Sequence, residues 1–298
     1  MTIDRRIINR RTMLALSMAA ILPARFAYAQ EQRVAIIDWA MLETALAIGI
    51  VPVAATELLQ FRSIAIEPEV PTGVADLGLR GTPNFEMLRL AAPDIILSSN
   101  FYEYRRAHLE RVAPVFSMTV YQPGTPPYGL AEKVALGIGD KLGRATKAAA
   151  YVTDTSAMMI GLRKQLQAKA ISPVFVINIG DARHFRAFGA DSMFGDVVAR
   201  LGFKNAWGEK SSYSATAPVG IEALARVPEA SIIIVGPIPP EAEKVLPQSA
   251  LWNALPAVKA GRVVKLQPVN HFGGLPAARR FARLVAGSSL FSNSINNG

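Results

Sequence analysis

The sequence predicts an α/β protein of two lobes, each on a parallel-rich sheet, joined by one long α-helix. Three observations carry this. Short β-branched runs alternate with amphipathic stretches, the order of βαβ units. The alternation stops near residue 143 and restarts at 173. Between them, 144–169 lacks proline, has one interior glycine, Gly161, and is rich in Ala, Met, Leu, Lys and Gln, which predicts a helix about 37 Å long at 1.5 Å per residue.

The elements follow in order. Residues 33–37 read as a strand, and 40–48 as a helix with Met41, Leu42, Ala45, Leu46 and Ile48 at helical spacing, stopped by Gly49. Strands are expected at 51–55 and 74–77. Helix 83–90 has Pro83 in its first turn and Asn84 and Glu86 near its positive end. Runs 94–98 and 114–117 are strands, and 129–142 is a helix. In the second half, 173–177, 185–188, 231–235 and 262–266 are strands, and 194–201, 220–225 and 275–286 are helices. The expected division is an export signal at 1–29, an N-terminal lobe at 30–143, the linking helix at 144–169 and a C-terminal lobe at 170–298. Both lobes are Rossmann-like, and the cleft between such lobes is the default ligand site.

Composition excludes several classes. With 51% hydrophobic and 18% charged residues, the chain has enough apolar content for packed cores. Its 20 prolines and 22 glycines show no period, so collagen-like readings fail. It has no cysteine, which removes thiolate metal sites, iron–sulfur clusters, cysteine nucleophiles, disulfides and lipidation at an N-terminal cysteine.

The formal charge of +9 is unevenly placed. Arg5, Arg6, Arg10, Arg11 and Arg25 face one acid, Asp4, within 1–29, and the rest of the chain holds 27 basic and 22 acidic residues. The arginine-rich start, the apolar run 13–22 and Ala27-Tyr28-Ala29 have the order of a cleaved export signal. Arg10-Arg11 before the apolar run fits the twin-arginine type. That run is about half of a membrane span, and no membrane anchor is expected.

Catalytic motifs are scarce. Gly189-Ala-Asp-Ser192 misses the nucleophile-elbow pattern. Gly137-Ile-Gly139-Asp-Lys-Leu-Gly143 is one residue too long for a dinucleotide fingerprint and ends a helix pattern. His108, His184 and His271 are far apart and form no metal-spacing pair. Arg105, Arg106, Arg279, Arg280 and Arg283 are scattered on expected helices, so no nucleic-acid partner is expected. Two residues lie where α/β sheets present ligand contacts. Arg80 sits in a strand-to-helix loop, and Tyr102 follows the strand 94–98. An arginine fork suits clustered anionic oxygens, and a tyrosine adds a flat face and a phenolic donor.

Four stretches together resemble periplasmic substrate-binding proteins for ferric siderophores, above all the ferric-hydroxamate group. They are Arg33-Val-Ala-Ile-Ile-Asp-Trp39, Ala47-Ile-Gly-Ile-Val-Pro52, Asp76-Leu-Gly-Leu-Arg80 with Pro83-Asn84, and Ala91-Ala-Pro93-Asp94. His184-Phe-Arg-Ala-Phe-Gly189, Asn205-Ala-Trp207 and Leu251-Trp-Asn-Ala-Leu-Pro256 add to the likeness. The resemblance implies a periplasmic, monomeric carrier without enzymatic activity. It would deliver its load to an ABC permease of the inner membrane. It implies no cofactor and no protein ligand to the metal, since the siderophore fills the iron's shell.

By the same resemblance, Arg80 and Tyr102 would hydrogen-bond oxygens around the iron. Trp39, Trp207 and Tyr213 would be wall aromatics. Glu222 of the C-terminal lobe, with Glu110 or Glu103 of the N-terminal lobe, would meet arginines of the permease. The chain departs from the pattern at Ile64, at Ser214 beside Tyr213, and at Asn270-His271-Phe272, where relatives often carry tryptophan. A more polar cleft would suit a ligand with carboxylates, with His271 as an added donor. The rival ligands are haem, bound through Tyr102 or His271, and cobalamin. A rival of another class is an exported hydrolase using Ser98 or Ser192 near His271. A structural or adhesion role would call for repeats, which the sequence lacks.

Overall fold

A computed structural model describes residues 32–167, 173–209, 211 and 218–291. The expected export signal, Tyr213 and Ser214 lie outside the described residues. The first sheet holds β1 (Val34–Ile36), β2 (Ala54–Ala55), β3 (Ala75–Asp76), β4 (Ile95–Ser99) and β5 (Val115–Met118). Its order is β3-β2-β1-β4-β5, and every pairing is parallel, with Ala35 opposite both Ala54 and Ile96. Residues of β4 are buried along their whole length, which is why this strand reads as a continuous apolar run. The strand order reverses between β1 and β4, the switch point where open α/β sheets form a crevice.

The crossovers are α1 (Trp39–Ala47), α2 (Leu58–Ile64), α3 (Phe85–Leu90) and a 3-10 turn (Asn100–Arg105) running into α4 (Arg106–Leu109). Asn84 caps α3 by accepting from the Glu86 and Met87 N–H groups, one residue after the proline that marked its start. Next come α5 (Tyr128–Lys141) and the long α6 (Ala145–Leu166). Ile64 of α2 is half-buried against the main core.

The second sheet holds β6 (Val174–Ile179), β7 (His184–Ala187), β8 (Val219–Gly220), β9 (Ser231–Val235) and β10 (Val263–Leu266), in the order β10-β9-β6-β7-β8. Here β6, β9 and β10 run parallel, while β7 and β8 pair antiparallel. Residues 180–183 are too few for a helical crossover, so β7 turns straight back as a hairpin. Residues 220–225, expected as an α-helix, form a 3-10 helix (Ile221–Arg226) instead. The remaining helices are α7 (Met193–Arg200), α8 (Pro240–Val245), α9 (Ala250–Ala254), α10 (Pro256–Lys259) and α11 (Leu275–Ala286).

One apolar cluster runs through both halves. Val34, Ile36 and Leu97 of the first sheet belong to it, as do Val174, Val176, Phe194 and Phe281 of the second half. Phe194 and Phe281 rings lie 4.5 Å apart. Helix α11 packs on α1, α5, α6 and α7. A close-packed core shared this way resists large rearrangement of the halves.

Candidate functional site

Four loops at the carboxyl ends of β1 to β4 build one face. After β1, Asp38 caps α1, its Oδ1 accepting from the N–H groups of Ala40 (2.7 Å) and Met41 (3.1 Å). Ser99 at the end of β4 donates its hydroxyl to Asp38 Oδ2 at 2.8 Å, tying the two switch-point strands together. Trp39 follows Asp38. Its indole N–H donates to the Thr56 carbonyl at 3.1 Å, and its edge meets Phe61 at 5.4 Å. Trp39 is only 3% exposed, so a ligand meets this indole chiefly through what covers it.

Arg80 covers it. Its guanidinium carbon lies 3.9 Å from the indole centroid, a cation–π contact. Its Nε pairs with Glu57 Oε2 at 2.7 Å, and its backbone N–H donates to Glu57 Oε1 at 2.9 Å. Glu57 has φ +50°, uncommon for a non-glycine residue. Among the described residues nothing pairs with the two Nη groups of Arg80. The fork is held in place by stacking and by one carboxylate, with its outer edge left for a ligand.

Tyr102 sits on the 3-10 turn after β4, half-buried. Burial pushes its phenol well above the usual range, and the Asp38 charge adds to this. It stays protonated and able to donate. Tyr104 Oη and Arg105 Nε donate to the Gly81 carbonyl at 3.3 and 2.8 Å, pinning the Arg80 loop to the turn that carries Tyr102.

The 270–274 turn comes up beside Phe101, the neighbour of Tyr102. Phe272 is 43% exposed and reaches Phe101 (6.2 Å) and Tyr121 (5.9 Å). Tyr121 donates its hydroxyl to the Gly273 carbonyl at 2.6 Å. Asn270 is placed differently from the ligand-facing position expected. It is buried, its amide donating to Glu43 Oε2 at 3.2 Å and its oxygen accepting from the Phe272 N–H at 3.1 Å. It shapes the turn that presents Phe272.

The arrangement is a cation, a phenol and an exposed aromatic on neighbouring loops. It suits an anionic, flat-sided solute. The sequence profile of the periplasmic binding protein family matches residues 34–269. The chain belongs to this family. It is 26% identical over 281 residues to the iron(3+)-hydroxamate-binding protein FhuD of Escherichia coli (strain K12), covering 93% of this chain and 95% of that one. The achromobactin-binding periplasmic protein of Dickeya dadantii (strain 3937) is 29% identical over 222 residues, 69% of this chain and 68% of that one. Among solved structures, the Fe3+-Desferal bound siderophore binding protein FhuD from Vibrio cholerae superposes with a TM-score of 0.83. It shares 27% identity, covering 87% of this chain and 98% of that one.

In this periplasmic binding protein the remaining expected residues are dispersed. Trp207 is buried, edge-on to Phe185 at 6.0 Å, and lines a hollow with Gly124 and Pro126 that Arg80 and Tyr102 do not reach. Glu103 and Glu110 are exposed, and both pair with Arg106, at 2.6 and 3.0 Å. Glu222 is exposed on the 3-10 helix of the second half. Ser192 is a helix cap, donating to the Gly189 carbonyl and accepting from the Gly195 N–H. Among the described residues, no three His, Asp or Glu side chains gather to hold a metal ion, and no helix is long and apolar enough to cross a membrane.

His271 packs against Phe188 and Phe194, its ring centroid 5.0 and 5.7 Å from theirs, and its Nε2 is out of water without a partner. Burial lowers its pKa to about 4, with the Arg186 charge acting the same way, against a hydrogen bond to the Gly236 carbonyl. The native state keeps it neutral while the unfolded chain protonates near 6.5. Its contribution is therefore present above pH 6.5 and lost as pH falls toward 4, by up to about 1.4 kcal/mol per pH unit. Denaturant titrations from pH 4 to 7 should show wild type losing stability relative to His271→Phe as pH falls. A pH-independent difference would refute this.

Sequence reading missed Glu43, Glu57 and Tyr121. Glu43 lies on the apolar stripe of α1, where a buried acid has no local signal. Glu57 could have been suspected only as an acid beside an expected strand end.

Proposed function

We propose that this protein captures ferric hydroxamate-type siderophores in the periplasm and delivers them to an ABC importer for iron uptake. The observation that carries this is the Arg80 fork, stacked on Trp39 and anchored by Glu57 beside Tyr102, in a chain that two hydroxamate-related FhuD proteins match almost end to end. Arg80 would donate to hydroxamate and carbonyl oxygens of the chelate, where charge-assisted bonds are strongest. Tyr102 would add a phenolic donor, and Phe272 an apolar wall. The metal would arrive as cargo in its chelator, which suits a chain with no cysteine and, among its described residues, no gathered metal ligands. The leader would direct export, no catalytic step is assigned, and the protein would act as a monomer. Glu222 and one of Glu103 or Glu110 would face the permease. With both N-terminal candidates already on Arg106, that contact would exchange one arginine for another.

Titration of the protein with ferric Desferal should quench tryptophan fluorescence saturably, while haemin should leave no shifted Soret band. A Soret shift with haemin and no quenching by any ferric hydroxamate would overturn the reading. The buried Nε2 of His271 already weighs against an axial ligand from that ring.

A further inference from the structure

Two buried groups of the first half hold the turn that carries Phe272. Tyr121 donates its hydroxyl to the Gly273 carbonyl at 2.6 Å, with the His271 carbonyl at 3.4 Å. Asn100, on the 3-10 turn that carries Tyr102, donates its amide to the Tyr121 carbonyl at 3.2 Å. Glu43 holds the same turn by its donors. Its Oε1 accepts from the N–H groups of Gly274 and, at 3.3 Å, of Ala277, and its Oε2 accepts from the Asn270 amide at 3.2 Å. Asn270 passes the hold on, its Oδ1 accepting from the Phe272 N–H at 3.1 Å. Glu43 and Asn270 are 0% and 2% exposed, so this relay runs out of water to an aromatic that faces it.

The relay has a direction. The Phe272 N–H can only donate, so the amide oxygen of Asn270 faces it and the amide nitrogen faces Glu43. Both Glu43 oxygens therefore act as acceptors, which the ionised carboxylate satisfies. A proton on either oxygen displaces a donor. The N–H groups of Gly274 and Ala277 are fixed in the backbone at the start of α11, whereas a side-chain amide can turn over. The proton thus belongs on Oε2, where the Asn270 oxygen can accept it. Turning the amide leaves the Phe272 N–H against an NH2 group, and the turn loses its tie to Glu43. Burial favours the acid form and the three donors favour the ionised one, which places the change at about pH 8.

Helix α1, which carries Glu43, packs on β1, β4, α5 and α11. The two strands bring no titratable side chain. Helix α5 turns Glu132 to Ser156 at 3.3 Å and exposes Lys133, Asp140 and Lys141. On α11, Arg279 is engaged by Thr155, and Arg280 and Arg283 by Glu67. Asp38, Tyr121 and Tyr151 are the groups coupled to Glu43. Asp38 is tied to Ser99 and to the first N–H groups of α1. Burial holds both phenols well above their usual range, so they stay protonated where Glu43 titrates.

We infer that Glu43 and Asn270 are positioning residues for ligand binding, setting Phe272 through this relay, and that the chelate binds more tightly when Glu43 is ionised. This rests on the siderophore reading above, with Phe272 as a wall of the site.

The test is a fluorescence titration of the full chain with ferric Desferal from pH 6 to 9. Wild-type affinity should rise roughly two- to tenfold with pH, the worth of one aromatic contact, and level off above about pH 8. Glu43→Gln presents an NH2 group or a turned amide to Asn270, as the acid form does. It should hold the low-pH affinity throughout. The chelate titrates alike against both proteins, so the difference between the profiles belongs to Glu43. At pH 9, Asn270→Ala and Phe272→Ala should each lose about the same factor, and the double variant no more than either alone. A flat wild-type profile, or a rise that persists in Glu43→Gln, overturns the inference and leaves the siderophore reading intact. Additive losses in the double variant overturn it as well. If the wild type binds no ferric hydroxamate at any pH, the siderophore reading falls and takes this inference with it. The wild-type and Glu43→Gln profiles decide by themselves if the Asn270 variants do not fold.

Discussion

Arg80→Ala should weaken binding of ferric Desferal by roughly 10- to 100-fold, since a hydrogen bond to a charged group is worth about 1.5–3 kcal/mol. Among the described residues nothing pairs with its Nη edge, and Trp39 and Glu57 hold it on the switch-point face at 3.9 and 2.7 Å. Arg80→Lys should recover only part of the loss. A lysine keeps the charge but gives up the planar fork and its stacking on the indole. Removing Arg80 also strands the carboxylate of Glu57, whose side chain is 13% exposed. The double variant Arg80→Ala with Glu57→Gln removes that stranded charge. It should regain thermal stability without regaining affinity. Fluorescence titration and thermal melts measure the two separately. Wild-type affinity in Arg80→Ala would take this arginine out of the site.

Glu43→Ala should be the most damaging single substitution to the fold. Glu43 sits on α1 in the first half and is fully buried. Its Oε1 accepts from the N–H groups of Gly274 and Ala277 (3.3 Å), at the start of α11, and its Oε2 accepts from Asn270. It is thus the cap of a helix more than 230 residues away in sequence. The approach is close enough that a side chain on Gly273 would collide with Glu43, and one on Gly274 with Thr44 Oγ1 at 2.8 Å. Alanine would orphan three buried donors at about 1–3 kcal/mol each, a loss of at least about 3 kcal/mol. Melting should fall by on the order of 5–10 °C.

Burial raises the Glu43 pKa to about 8 against the pull of its three donors, with the Asp38 charge adding to the rise. A raised acid binds its proton more tightly in the native state. Its contribution is fully present below about pH 4.5 and is lost as pH rises toward 8. Between pH 6.5 and 8 the His271 contribution is already constant, so Glu43 is the group to watch there. Glu43→Gln should abolish the decline in stability across that window. A decline that persists in Glu43→Gln would show that another group causes it.

Most of the framework was legible because its signals are local. The helices expected at 83–90, with its first-turn proline, and at 275–286 both formed, the first as Phe85–Leu90 and the second as Leu275–Ala286. The run Ser231–Val235 is buried on both sides, and its five residues read as a strand at once. By contrast, 51–55 contributed only Ala54 and Ala55, since Val51 is exposed and Pro52 has no N–H to give a ladder. The antiparallel turn into β7 was hidden because strand direction is set by how far the chain must travel, not by residue type. Residues 220–225 formed a 3-10 helix where apolar spacing alone suggested an α-helix.

The sequence by itself determined the two-sheet α/β plan, the long helix between the sheets, and Arg80 and Tyr102 as the loop residues to test. Periodicity of 2 or 3.6 and the placement of loops after strands are written in neighbouring residues. Only the tertiary structure decided what those residues do. It set Arg80 on Trp39, 41 positions earlier. It turned Asn270 inward to Glu43 and left Phe272 facing Phe101 and Tyr121. Each of these depends on desolvation and on pairing between distant segments, and both exist only once the chain has closed on itself.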